Sequence, residues 1–467
     1  MRSHDDAVAA APDRVKRPAP GILPALVAGC AVVAGIVGIA AGRGLVERVA
    51  YGVVILATLL ALALRALRLP GGAGSAQIVF TVGAGALVGL PALMLCAQPS
   101  LAEPAIDVGR AVGFWAAALV GVSVGAALVS PAGGGPARHR MTPRSRGAMF
   151  AVLAVSLAGV AILMTNAGGP ATFVNSLDES GETTAGLTFA IVMILALKCA
   201  ALARLHARWA NDVPTRISRA DIAWLVAALA LVGIAGSRLL ILVAIAQFVL
   251  LALLFGRVSA RAVPAGCAVV LLAACVSVGL GELRRWQATP RAVSFPTFLA
   301  ESGLPRLPRT VVNQYADAVK LADSAMRVVP ERASYEGARG LLRVAVHPIP
   351  RAIRPTVARQ PAVTQAFMSS ATSGNALPLP VEGWLQAGIV GALLLSLGFG
   401  CLLGLGDRVV RVRGRPAVAF AAACAGASLL IMFRGSLAQG TTLAALDIVS
   451  LYAVHRFVID TSGAAAA

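Results

Sequence analysis

Charge is what this chain has least of. Charged residues make up 13% of its 467 positions, against roughly a quarter in an ordinary soluble domain. That excludes a soluble fold for most of its length. The scarcity is lopsided, with 40 Lys and Arg against 21 Asp and Glu. Cysteine is missing wherever it could staple a loop. All seven (Cys30, Cys96, Cys199, Cys267, Cys275, Cys401 and Cys424) lie inside or at the edges of apolar runs, so neither a disulfide nor a zinc site is indicated. No HExxH, CxxC or Walker pattern occurs, and no acidic pair at metal-binding spacing lies in the outward connections. The expected chemistry is therefore metal-independent, with no metal ligand and no cofactor assigned. There is no internal repeat.

What the chain has instead is hydrophobic sequence, 58% of all residues. It comes in runs of about 17–22 residues, enough to cross a hydrocarbon core of about 30 Å as helices. Backbone groups in lipid must be satisfied internally, and continuous runs without period-2 alternation choose helices over a barrel. The predicted spans lie near 21–41, 50–66, 76–97, 111–130, 148–166, 184–204, 221–236, 239–256, 262–281, 384–404, 416–433 and 441–457. The fold class is an all-α polytopic membrane protein of about twelve transmembrane helices, with a large, partly helical outer loop between helices nine and ten. Val27-Ala28-Gly29-Cys30 mimics a lipoprotein cleavage box, but apolar sequence continues to about Ala41, so the segment reads as the first span.

The net charge of +19 would suggest nucleic acid in a soluble protein. Here most of it orients the spans, and no nucleic-acid partner is expected. Arginine-rich connections occur at Arg65/Arg68, Arg138–Arg146, Arg204–Arg219, Arg257/Arg261 and Arg408–Arg415. They alternate with short or acidic ones, such as Glu103/Asp107 and Asp178/Glu179/Glu182. All the arginine-rich short loops share one side if both termini are cytoplasmic. The chain then divides into a disordered cytoplasmic N-terminus (1–20), transmembrane helices one to nine (21–281), a large outer loop (282–383), helices ten to twelve (384–457) and a cytoplasmic tail (458–467).

The long loop breaks the pattern. Residues 282–380 carry thirteen Arg/Lys against six Asp/Glu. Long loops translocate regardless of charge, so orientation does not account for this excess. A basic surface facing outward calls for an anionic partner. Val312, Tyr315, Val319 and Met326 recur at helical spacing behind Thr310 and predict a helix over 311–328. Its apolar stripe is expected to pack on the membrane domain rather than lie in the interface. Ser334 is the expected cap of a second helix over 335–346, ended by Pro348 and Pro350.

Four groups are candidates for chemistry. Arg238, in a Gly-Ser-Arg turn between two spans, either faces a polar cavity or snorkels from a helix end. His347, Arg351 and Arg354 sit among Pro348, Pro350 and Pro355, which stiffen their backbone. Two guanidiniums so spaced can each grip a diphosphate bidentately, or serve as solvated loop charges. Glu382 enters the tenth span, where a carboxylate suits either the helix macrodipole or a general base. Arg434 ends the eleventh span. Arginines of this kind can stabilise a departing diphosphate without a cation.

In order and spacing, the Gly-Ser-Arg turn, the long loop, IPRAIRP, PLPVEGWLQAG and FRGS resemble the Wzy-type polymerases of O-antigen and exopolysaccharide repeat units. The resemblance covers about residues 230–440. It implies a membrane glycosyltransferase in the bacterial cytoplasmic membrane, working on polyprenyl-diphosphate-linked glycans in the outer leaflet of the bilayer. A chain-length regulator and a flippase are the expected partners. Carried over residue by residue, it implies diphosphate contacts by Arg238, Arg351 and Arg434. The second loop cation is Arg354 or Arg359, because TVARQP follows the motif here. Glu382 and His347 are the catalytic candidates. The alternatives are an O-antigen ligase, which His347 keeps open, and a lipid or glycan transporter. A transporter is disfavoured on the reading that no broken or charged helix lies at the midplane.

Overall fold

The computed structural model describes residues 45–68, 75–97, 107–129, 136, 141–166, 168, 188–211, 217–234, 238–255, 297, 317–331, 333–337, 339–346, 377–412, 415–434 and 437–461. The predicted spans at 21–41 and 262–281 lie outside them. In chain order come α1 (Leu45–Leu67) and α2, which is helical over Ala76–Ala84 and Leu90–Ala97 with a π turn over Gly85–Gly89 between. Then follow α3 (Val108–Leu128), α4 (Arg146–Asn166), α5 (Thr188–Trp209), α6 (Arg219–Ile234) and α7 (Arg238–Leu254). Two short helices come next, α8 (Asp317–Val328) and α9 (Arg339–Val346). The chain closes with α10 (Leu379–Val409), α11 (Pro416–Arg434) and α12 (Leu437–Val458).

Among the described residues, seven helices are long and apolar enough to cross a bilayer. Their surfaces are the reverse of a soluble protein's. Val53, Leu56 and Leu60 of α1 and Val390 and Leu394 of α10 are exposed, whereas Lys198, Gln247, Asp407 and Asp447 are buried. Apolar surface of that extent would aggregate in water, and in a bilayer it meets lipid. The chain is an all-α, membrane-embedded protein.

Helix directions follow from which residues touch. Gly121 lies against Ser396, Gly125 against Leu397 and Cys401, and Gly404 against Ala126, so α3 and α10 run parallel. A Cβ on Gly125 would strike the Leu397 carbonyl, and one on Gly400 the Val122 carbonyl. Two GxxxG stripes thus let the backbones touch, which drives association where lipid supplies no hydrophobic force. Lys198 meets Asp447 and His206 meets His455, a constant offset that makes α5 and α12 parallel. Three residues separate α6 from α7 and two separate α11 from α12, so each pair is antiparallel. Arg204 and Arg208, late in α5, pair with Asp221 in the first turn of α6, which sets those two antiparallel as well. The starts of α3, α5, α7, α10 and α12 and the ends of α6 and α11 therefore share one end of the bundle, here the entry end.

At the opposite end the connections are tied down. Asp407 of α10 accepts from Ala76 N at 2.7 Å and Gln77 Nε2 at 2.9 Å, capping α2. Ser218 and Asp221 cap α6 reciprocally, Asp221 N donating to Ser218 Oγ and Ser218 N to Asp221 Oδ2. Part of the arginine excess read as orientation signal is thus neutralised on Asp221. Two-residue strands β1 (Thr142–Pro143) and β2 (Ile459–Asp460) pair antiparallel and fasten the α3–α4 connection to the residues after α12.

The segment carrying α8 and α9 packs on the membrane domain, as its apolar stripe suggests. Val319, Ala322, Ala325, Met326 and Val329 join the core built by α1, α2, α3 and α10. The start of the first predicted helix, 311–316, lies outside the described residues. The second begins at Arg339 and not behind Ser334, because residues 335–337 are used otherwise, as described next.

Candidate functional site at the entry of helix ten

The sequence promises one straight helix entering the tenth span. The chain instead turns back at Ala387 (φ −152°) and Gly388 (φ 62°, ψ −147°). Gly383 and Gly391 touch as a result, although eight residues of straight helix would hold them about 12 Å apart. Residues 379–386 form a short arm, and 388–409 form the spanning arm. The 22 residues of the spanning arm suffice for a bilayer by themselves.

Breaking the helix frees carbonyls that need partners, and the segment between α8 and α9 supplies them. Glu336 N donates to Leu385 O and Gly337 N to Gln386 O, both at 2.9 Å. Gly337 takes φ 61° to present its N–H, which is why no helix starts at 335. Tyr335 lies against Gly388, and Gly340 of α9 against the Gln386 amide.

A second set of bonds clamps α8. Trp384 Nε1 donates to Val329 O at 3.1 Å, Trp115 Nε1 to Ala318 O at 3.0 Å, and Arg110 Nη2 to Met326 O at 2.9 Å. The last places a cation on the carbonyls that end α8. Asp323 of α8 is buried and bonded to Arg327 Nε at 2.9 Å. Burial pushes its carboxyl above the usual carboxylate range, against the pull of Arg327.

Glu382 sits half-buried in the first turn of the short arm, its N–H donating to Pro378 O at 3.1 Å. Prolines 378 and 380 begin the arm, where the missing N–H groups cost nothing. Val381 and Leu385 anchor its other face in the core, and Trp384 stacks edge-on to Phe114. Glu382 is thus carried on the half-helix to which the α8–α9 segment is docked. Arg238 begins α7 and Arg434 ends α11, so their backbones lie at this same end. His347, Arg351, Arg354 and Arg359 lie outside the described residues, directly after α9 in sequence.

A second polar site was not anticipated. Lys198 of α5 and Asp447 of α12 form an ion pair with both side chains 2% exposed, midway along their helices. Asp447 Oδ2 also accepts from Ser428 Oγ of α11 and Gln247 Nε2 of α7, each at 2.7 Å. The expectation of a midplane without charged helices is therefore corrected by this pair, whereas the break in α10 lies at its entry and not at the midplane. The signal for the pair was present: single ionisable residues in LALKCAAL and AALDIVSL, which lipid-facing helices do not tolerate.

No family model, no curated protein and no solved structure matches this chain.

Proposed function

We propose that the chain is a membrane glycosyltransferase that polymerises polyprenyl-diphosphate-linked repeat units at the entry end of its bundle, without a metal. One observation carries the reading: the α8–α9 segment is docked by backbone hydrogen bonds onto the broken start of α10. That docking holds the chain which leads into the arginine-proline stretch close to the half-helix bearing Glu382. A long loop anchored at its base is what positioning two large lipid-linked glycans requires. In the mechanism proposed, Arg351, Arg238, Arg434 and either Arg354 or Arg359 take the charge that develops on the departing diphosphate. Glu382 or His347 removes the proton from the attacking hydroxyl. On this proposal the entry end faces outward and both termini lie in the cytoplasm, with twelve spans in all.

The test is polymer length on gels from cells carrying variants, normalised to protein level. Arg351→Ala should reduce polymerisation about a hundredfold, the loss expected for roughly 3 kcal/mol of transition-state contact. Arg351→Lys should rescue poorly, because it keeps charge but not the fork. Arg306→Ala, earlier in the loop, should be mild.

A second reading has its own observation. A buried ion pair in the middle of the bundle, here Lys198–Asp447, is a feature of carriers. A lipid or glycan transporter would move labelled polyprenyl-diphosphate glycan between vesicle leaflets without lengthening it.

A further inference from the structure

Four helices each contribute one polar side chain to the middle of the bundle. Lys198 (α5) pairs with Asp447 (α12); Gln247 (α7) bonds Asp447 Oδ2 at 2.7 Å and Ser428 Oγ (α11) at 3.0 Å. The thiols of Cys199 and Cys424, which act on Lys198, are buried as well. Stability does not call for such a group, since a buried ion pair replaced by packed hydrophobic residues is often no less stable. The hydrogen-bond accounting is also incomplete in one place. Gln247 Oε1 is buried and has no partner among the described residues, while the same amide's nitrogen serves Asp447. An acceptor therefore stands ready beside the carboxylate that now holds the ammonium.

A second titratable pair lies on the same seam. His206 Nδ1 and His455 Nε2 are 3.1 Å apart and both side chains are buried, His206 against the rings of Phe255 and Phe420 and His455 against Phe420. Each histidine is eight residues beyond its partner in the ion pair, about 12 Å along parallel helices. That brings the imidazoles near the end opposite the α10 entry. The charged groups flanking them there are Arg204 and Arg208, held on Asp221, and the exposed Arg456. A ring-to-ring hydrogen bond can pass a proton.

We propose that Lys198, Asp447, Gln247 and Ser428 form a proton-binding site at the centre of the membrane domain, loaded from the far end through His206 and His455. The proton adds to the Asp447 carboxylate and makes a carboxylic acid; the Lys198 ammonium loses its counter-charge and turns a donor to Gln247 Oε1. No bond other than O–H forms, and the site gains one positive charge. The inference rests on neither reading of the overall function, and its test needs no glycan substrate.

The experiment is infrared difference spectroscopy of the purified full chain in lipid nanodiscs, stepped from neutral to acidic pH. On acidification the protonated-carboxyl region should gain, beside the contributions of Asp323 and the other carboxyls, one band that is missing in Asp447→Asn. If that variant fails to fold because it strands the lysine charge, the Lys198→Gln/Asp447→Asn double variant carries no buried charge and should also lack the band. His206→Gln/His455→Gln should keep the band but slow its appearance after a pH jump at least tenfold. Identical spectra in the wild type and the folded variants lacking Asp447 would overturn the site. Loading as fast as wild type in the double histidine variant would overturn the route.

Discussion

Single residues decide how the α8–α9 segment holds to the membrane domain, and Asp323 is the most exacting. Its folded carboxyl titrates above its unfolded value because burial disfavours the charged form. The folded state then binds more protons than the unfolded one in the window between the two values. Stability should accordingly rise as pH falls through the raised value, and the gain should be complete below the ordinary carboxylate range. Thermal unfolding of the purified protein across mildly acidic pH should show this slope, and Asp323→Asn should flatten it. A slope unchanged in that variant would assign the effect elsewhere. Glu382 belongs to the same scale. Glu382→Gln keeps its shape and helix position, so polymerisation should fall by at least tenfold while the melting temperature stays close to wild type. A variant that loses stability but not activity would leave the carboxylate only a macrodipole role.

At the scale of elements, the hinge of α10 and the α3–α10 seam carry the architecture. Gly388 occupies a φ of 62°, and a Cβ there would also meet the Tyr335 hydroxyl at 2.9 Å. Gly388→Ala should destabilise by about 1–3 kcal/mol, the usual strain of that backbone region. Part of the loss should persist in a Tyr335→Ala background, where only the steric contact is relieved. Gly400→Leu should drive α3 from α10 and abolish a monodisperse peak on size-exclusion chromatography. Gly398→Leu makes a useful control, because a Cβ there meets nothing within 4 Å.

These elements also mark what the sequence discloses. Apolar runs place ten of the described helices within a few residues, seven of them long and apolar enough to cross a bilayer, for hydropathy is read directly off side chains: 416–433 is realised as Pro416–Arg434. The turn at Gly388 is invisible because a glycine inside an apolar run reads the same in a straight helix. Only the partner carbonyls reveal it, and their donors lie about fifty residues upstream in the chain. The same holds for Lys198 and Asp447, each legible as an oddity and separated by 249 positions. Of the candidate site, the position of Glu382 on a helix start was legible, and the folding back of that start was not.

For the whole molecule, the account requires the entry end to face outward. Cysteine at Ser324, exposed on α8, should react with an impermeant maleimide in intact cells above the signal of the native cysteines. Cysteine at Arg415, exposed at the far end, should react only after lysis. The reverse pattern would turn the protein over and remove the site from any outer-leaflet substrate. The most direct measurement supplies purified chain in nanodiscs with polyprenyl-diphosphate-linked repeat units and excess EDTA, and follows glycan length and released polyprenyl diphosphate together. The account predicts a ladder of longer lipid-linked glycans with one diphosphate lipid released per added unit, undiminished by the chelator and lost in Arg351→Ala. Unchanged glycans, or lengthening that returns only when magnesium or manganese is added back, would contradict it.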